Sequence, residues 1–347
     1  MAWYWLLFAI PALGALLENR YGRLHPLALS CFGLILILAI GFRYEVGGDW
    51  FSYLSMLLRA GSERAPLFWI SSDPGFAMLN VLVARANLDI WAVNAVCAAL
   101  FTGGLIRFCR AQPRPWLALL VSVPYLVIVV AMGYTRQSVA IGLIMAGLPD
   151  LQRDRKIRFL AWVLVAATFH KSAVLLIPVA MLISSRNWII SFLWIAFIGI
   201  AAYLLLLADS VESLRYGYLE SQYSSGGASV RIAMNAVPAS LFIWKARDFG
   251  LKPVQRRLWT YLSIASLGAV AALLLSPSST AVDRLALYLI PMQLFTFSHL
   301  PEALGPSPLR RVAPLGVVIY SGLILFVWLN FGSHAFAWLP YRSFLLP

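Results

Sequence analysis

The chain has 347 residues and a formal net charge of +13, yet it is 61% hydrophobic and only 12% charged. A soluble domain carries roughly a quarter charged residues, so this composition excludes an ordinary soluble globule. It also excludes a nucleic-acid binder, because the Lys and Arg residues are scattered over short loops between apolar runs instead of lining one face.

The apolar runs follow one another in chain order, many near the roughly 20 residues that span a bilayer. Met1-Ala2-Trp3-Tyr4-Trp5 has neither a basic n-region nor a small-residue cleavage site, and reads as the start of a retained helix. Predicted crossings cover residues 2–17, 27–42, 88–106, 116–132 and 137–149. Two short segments follow, 159–169 and 172–183. They suit either two crossings or a re-entrant hairpin with Phe169-His170-Lys171 at its tip. The remaining crossings are 188–207, 231–245, 258–275, 285–298 and 312–331. The expected fold is an all-α polytopic membrane protein, a single integral-membrane domain over 1–347 with about 12 transmembrane segments.

Charge sets the orientation. The loops around Arg20, Arg107 to Arg114, Arg153 to Arg158, Arg186, Lys245 to Arg257 and Arg310 hold most of the 27 Lys and Arg residues. They contain only Glu18, Asp150, Asp154, Asp248 and Glu302 among the acids. By the positive-inside rule these loops are cytoplasmic, and both termini are extracytoplasmic. The two sizeable outward loops are 43–87 and 208–230. Within the first, Pro74 to Ala86 is apolar but short, and reads as an interfacial helix with Asp73 before its proline. Within the second, Ser224-Ser225-Gly226-Gly227 is a flexible stretch suited to moving over a site. The three cysteines show no CxxC or Cys/His spacing, so no disulfide, metal site or cofactor is indicated.

The outward charges are few and sit at helix ends in polar-aromatic clusters. These are Arg43-Tyr44-Glu45-Val46-Gly47-Gly48-Asp49, Asp73-Pro74-Gly75-Phe76, Thr135-Arg136-Gln137, His170-Lys171-Ser172, Asp283-Arg284 with Tyr288, and Pro340-Tyr341-Arg342. Each has a plain structural explanation. Arg43 and Arg231 can snorkel, Asp73 can cap a helix, Asp283 and Arg284 can pair, Tyr341 can join an aromatic belt, and His170 can end a helix. Yet His170 and Lys171 interrupt an apolar run, where a charge costs roughly 2.5–3.5 kcal/mol on insertion scales. Taken together, the clusters point to one extracytoplasmic site. Its arginines suit phosphate oxygens, and its carboxylates and tyrosines suit sugar hydroxyls. The activated sugar donor on that side of a bacterial membrane is a glycan on a polyprenyl pyrophosphate. Cations can stabilise its departing charge without a metal.

At these same residues the chain resembles the EpsG family of exopolysaccharide proteins, within the broader group of Wzy-type polymerases. The resemblance rests on Arg43-Tyr44, Gly48-Asp49 and Tyr53, on Asp73-Pro74-Gly75-Phe76, and on Arg136-Gln137 followed by Ala140. It continues through His170-Lys171-Ser172-Ala173 with Pro178, Asp283-Arg284 with Tyr288, and Pro340-Tyr341. Glu is the commoner acid at the place of Asp73, and the stretch between Trp188 and Trp259 matches no family pattern. The resemblance implies a C-type glycosyltransferase-like polymerase bundle with an outward-facing cavity, in the bacterial cytoplasmic membrane.

The implied activity is a metal-independent polymerase joining polyprenyl-pyrophosphate-linked oligosaccharide repeats into O-antigen, capsule or exopolysaccharide. A chain-length regulator is a candidate partner. On this reading Arg136, Arg284 and Lys171 grip the pyrophosphate, and His170 or Asp49 is the base. Arg43, Glu45 and Tyr341 orient glycans, while Tyr53, Asp73, Gln137, Asp283 and Tyr288 complete the binding set. Two other readings stay open: a ligase or acyltransferase acting on lipid-linked glycan, and a flippase or transporter for it.

Overall fold

The computed structural model describes residues 1–21, 24–61, 73–184, 193, 227–275 and 279–345. Among the described residues the chain is helical throughout, with no strand beyond a single antiparallel bridge between Arg43 and Ser343. In chain order the helices are α1 (Ala2–Tyr21), α2 (Pro26–Gly41), α3 (Trp50–Ala60), α4 (Pro74–Arg85) and α5 (Ile90–Arg110). Next come α6 (Pro115–Ser122), widening into a π-helix over Val123–Ala131, then α7 (Thr135–Gln152) and α8 (Lys156–Phe169). A 3-10 turn over Lys171–Leu176 leads into α9 (Ile177–Ser184). The last helices are α10 (Ala228–Lys245), α11 (Pro253–Leu275), α12 (Ser279–Ala286), α13 (Pro291–Ala303) and α14 (Pro308–Phe331).

Three of these, α5, α11 and α14, are long and apolar enough to cross a membrane by length and composition. In α11 and α14 only 28% of the apolar window is buried within the protein, against 67% in α5. Large apolar side chains such as Leu274, Leu275, Ile319 and Leu323 therefore face outward, which a bilayer tolerates and water does not. The opposite extreme is the axis made by α6, its π-helical extension and α7. Every residue from Trp116 to Ala131 is buried, as is nearly all of α7. Helices that are apolar all round belong inside a bundle. Around this axis α5 packs on α7, α2 on α5, α8 on α7, and α1 and α13 on α6; α10 pairs with α11 and α13.

The α5–α7 crossing depends on glycine. A Cβ on Gly142 would lie 2.6 Å from the Phe101 Cα, and one on Gly104 would lie 1.9 Å from the Gly142 carbonyl oxygen. Backbones come into contact there because neither residue has a side chain.

Most helices fall where the apolar runs predict, with bounds shifted by proline. Pro26, Pro115, Pro253, Pro291 and Pro308 each open a helix, a place where the missing N–H costs nothing. The run expected over 285–298 is accordingly split. It contains the end of α12, a 3-10 turn over Leu287–Leu289, and α13 starting at Pro291. Two short helices, α3 and α12, lie outside the predicted set. The expected crossing 188–207, residue 193 apart, and nearly all of the loop 208–230 lie outside the described residues. The break at His170 stands as the pattern placed it, with φ −155° and ψ 109° between α8 and the 3-10 turn.

Candidate functional site

Four chain segments meet at one end of the bundle: the start of α3, the start of α4, the start of α7, and the break after α8. Asp73 links three of them. It occupies the residue before α4 but makes no capping bond to that helix. Its Oδ2 instead accepts a hydrogen bond from the Arg136 Nη1 at 3.0 Å, and its Oδ1 accepts one from the Lys171 backbone N–H at 3.0 Å. The His170 Nδ1 stands 3.6 Å from Oδ2, just beyond hydrogen-bond length. That ring nitrogen is buried, with no hydrogen-bond partner among the described residues. A glycine brings these groups together, since a Cβ on Gly75 would lie 2.4 Å from the Thr168 Oγ1. Only a glycine at the first turn of α4 lets Asp73 slide against the end of α8.

Arg136 is also held from the apolar side. Its guanidinium carbon lies 6.0 Å from the Tyr53 ring centre and 5.9 Å from that of Phe76. The two rings pack edge-on with centroids 5.6 Å apart, a cation–π arrangement that fixes the plane of the fork. Burial pushes the Tyr53 hydroxyl up to about 12, with the charge of Asp49 adding to the rise, so it stays protonated and able to donate.

The two carboxylates differ in charge state. Burial works against the ionised form of Asp73. The neighbouring imidazole, the Lys171 amide and Arg136 outweigh it, and its pKa lies below the ordinary carboxylate value. Asp49 goes the other way: burial raises its pKa, and the charges of Arg284 and Arg136 only partly oppose the rise. The same influence shows that Arg284, Arg136 and Asp49 share one electrostatic neighbourhood.

Arg284 reaches that neighbourhood on α12. The Gln137 Nε2 donates to the Arg284 carbonyl at 2.6 Å. Further along, the Ser172 and Tyr288 hydroxyls lie 3.1 Å apart. The side chains of Arg284 and Lys171 make no hydrogen bond or ion pair among the described residues. Both residues are exposed. Asp283 does not pair with Arg284. It takes a two-pronged bond from Arg231, with Nε to Oδ1 at 2.8 Å and Nη2 to Oδ2 at 2.7 Å.

Asp49, Tyr53, Asp73, Arg136, Gln137, His170, Lys171, Arg284 and Tyr288 are thus brought to one region. Arg43, Glu45 and Tyr341 are placed beside it, in its frame. Arg43 is 0% exposed. Its guanidinium donates to the Val46 carbonyl at 3.2 Å, the Ile40 carbonyl at 2.6 Å and the Thr135 Oγ1 at 2.7 Å. Glu45 pairs with Arg342 at 2.7 Å. The Tyr341 hydroxyl donates to the Ala39 carbonyl at 2.8 Å, and its ring stacks on Trp3 at 5.5 Å. These contacts pin the C-terminal tail to the turn that carries Asp49. Sequence reasoning left Arg231, Asn235 and Gln293 out of the site. For Asn235 and Gln293 the signal was available, since polar side chains inside predicted spans call for partners; Arg231, at the start of its span, gave none beyond a charge at a helix end.

A family model for the EpsG family matches residues 27–343. No curated protein and no solved structure matches the chain. The family match runs over nearly the whole chain and takes in every site residue described above. The chain therefore belongs to the EpsG family, a Wzy-type polymerase family, and is a membrane protein of the polysaccharide-polymerase type.

Proposed function

We propose that this protein polymerises oligosaccharide repeats carried on polyprenyl pyrophosphate, at the outer face of the bacterial cytoplasmic membrane. In this reading about twelve crossings enclose an outward-facing cavity, with both termini outside. The observation that carries it is the pair of cations with no ion-pair partner among the described residues, Arg284 and Lys171, beside an Asp73–His170 couple. Exposed cations left open in this way suit a ligand with two adjacent phosphates.

The reaction needs one bond made and one broken. An acceptor sugar hydroxyl attacks the anomeric carbon of the growing chain. The bond from that carbon to the pyrophosphate oxygen breaks, and polyprenyl pyrophosphate leaves with the electron pair. Arg136, Arg284 and Lys171 receive the negative charge that develops on the leaving oxygen, a preorganised arrangement that requires no reorganisation during the step. His170 takes the hydroxyl proton. Its Nδ1 faces Asp73, which favours the tautomer with the proton on Nδ1 and leaves Nε2 basic. Asp73 is then an orienting group, and Asp49 holds the arginines in place. Tyr53 and Tyr288 offer hydroxyls to the glycan, and the Arg43, Glu45 and Tyr341 frame sets the position of the Asp49 turn.

The test is the lipid-linked glycan profile of cells lacking the protein, complemented with wild type, His170→Ala or Arg284→Ala. Single repeats in place of a polymer ladder, rescued by wild type alone at equal protein levels, are the expected result. Polymer accumulating on the carrier would point to a ligase, and repeats trapped on the cytoplasmic face to a flippase. Either outcome would retire the polymerase reading.

A further inference from the structure

Arg284 is borne on α12, only eight residues long. A helix this short does not persist without tertiary support. Its apolar face supplies part of that support: Val282 and Ala286, one turn apart, are buried against Ile232 of α10, with Ala269 and Leu273 of α11 alongside. Apolar contact alone would let the helix slide or roll. Among the described residues, three polar ties act at successive points along it. Arg231 grips Asp283 with two parallel bonds. Gln137 donates to the Arg284 carbonyl at 2.6 Å. Asn235 donates to the Ala286 carbonyl at 2.9 Å, and its own Oδ1 accepts from the Gln293 Nε2 at 2.7 Å.

Arg231 and Asn235 lie four residues apart, on one face of α10. Asn235 is 2% exposed and Gln293 3% exposed. Such polar groups are costly inside a membrane bundle unless every bond is made. Two of the ties end on backbone carbonyls and the third on the carboxylate preceding Arg284. None of them uses the Arg284 guanidinium, which stays open.

We infer that Arg231, Asn235 and Gln293 are positioning residues: together with Asp283 and Gln137 they anchor α12 so that the Arg284 guanidinium is presented to the pyrophosphate. Asp283 and Gln137 then serve the helix and not a sugar. This inference rests on the pyrophosphate reading of the site and adds to it the residues that set its geometry.

The experiment uses full-length protein in lipid nanodiscs and two readouts. One is amide hydrogen exchange over residues 279–289, which reports α12 without reference to activity. The other is affinity for polyprenyl pyrophosphate bearing no glycan. Arg231→Ala and Asn235→Leu should each speed α12 exchange and weaken binding about tenfold, the scale on which one or two hydrogen bonds count. Arg231→Lys should recover part of both. Unchanged exchange in Arg231→Ala and Asn235→Leu would overturn the anchoring. Faster exchange with undiminished binding, while Arg284→Ala does weaken binding, would overturn the positioning role. Binding left intact by Arg284→Ala would instead overturn the pyrophosphate reading itself, whatever the exchange shows.

Discussion

Asp49 and Asp73 are the same residue type in one site, yet their surroundings drive them apart. Asp73 gains more from an amide, an imidazole and a guanidinium than it loses to burial, so its pKa falls. Its contribution to stability is present above the ordinary unfolded value of about 3.9 and is lost as pH falls through the lower folded value. Asp49 has the opposite sign: burial outweighs Arg284 and Arg136, and the pKa rises. Ionising it costs folded-state stability as pH rises through that value. Protonating it on the way down removes a negative charge from the neighbourhood of the two arginines. Infrared titration of the carboxyl bands, with Asp49→Asn as reference, should therefore show Asp49 protonating at higher pH than Asp73. In Arg284→Ala the Asp49 titration should move higher still, because a cation that favours the carboxylate is gone. An unmoved Asp49 band would place Arg284 out of its reach. Arg43 makes a different point at this scale. Its place in an Arg-Tyr motif on an outward loop suggested a ligand contact. Its three hydrogen bonds are to the nearby Val46 and Ile40 carbonyls and to the Thr135 hydroxyl, 92 positions away, which no sequence pattern links to it.

Among the elements, α3 was legible and went unread. Trp50, Tyr53, Leu57 and Ala60 are its buried residues, spaced three, four and three apart, which is the period of a one-sided helix. A search tuned to bilayer-length runs passes over eleven residues. Helix α4 was recognised because proline at its start and an acid before it are local signals. What those signals did not convey is that the acid serves a neighbouring segment instead of its own helix. Gly75 enforces that exchange. In Gly75→Ala the new methyl meets Thr168, α4 is displaced from α8, and the Asp73–Lys171 bond lengthens. Polymerisation should drop by roughly 10²-fold, the scale of an ångström's misplacement at a reacting centre, with normal protein levels in the membrane. Adding Thr168→Ala should restore part of it. Full activity in Gly75→Ala would show that the contact between the two helices does not set the site.

At the scale of the whole molecule, the ion pairs among the described residues segregate to two ends. The site lies at the Arg136 end of α7. At its other end Asp150 accepts from Arg107 at 2.6 Å and from the Trp162 Nε1 at 3.3 Å. Fourteen residues of helix separate Arg136 from Asp150, about 21 Å at the usual rise. Arg114 bonds to Glu302 at 2.8 Å and to Asn19 at 2.7 Å, and these are loop ends on the same side as Asp150 by charge bias. In the proposed orientation, with Cys31 replaced by serine, Lys171→Cys should react with an impermeant maleimide from outside intact cells. Lys156→Cys should react only after permeabilisation. Labelling in the reverse order would invert the topology and remove the site from the outer face.

The sequence by itself determined the class of the protein, the order of most of its apolar helices and the polar clusters at their ends, because bilayer thickness and charge bias act on contiguous residues. It also determined where the chain breaks at His170, since a charged pair inside an apolar run has few ways to be accommodated. Only the tertiary structure decided which polar residue meets which. Asp73 turned from its own helix to Lys171 and Arg136, Asp283 from its neighbour to Arg231, and Arg43 from the surface into the frame. Those choices depend on residues 52 to 98 positions apart and on backbone approaches that Gly75 and Gly142 permit. Spacing along a chain carries no record of such distances, because they are set by how helices cross.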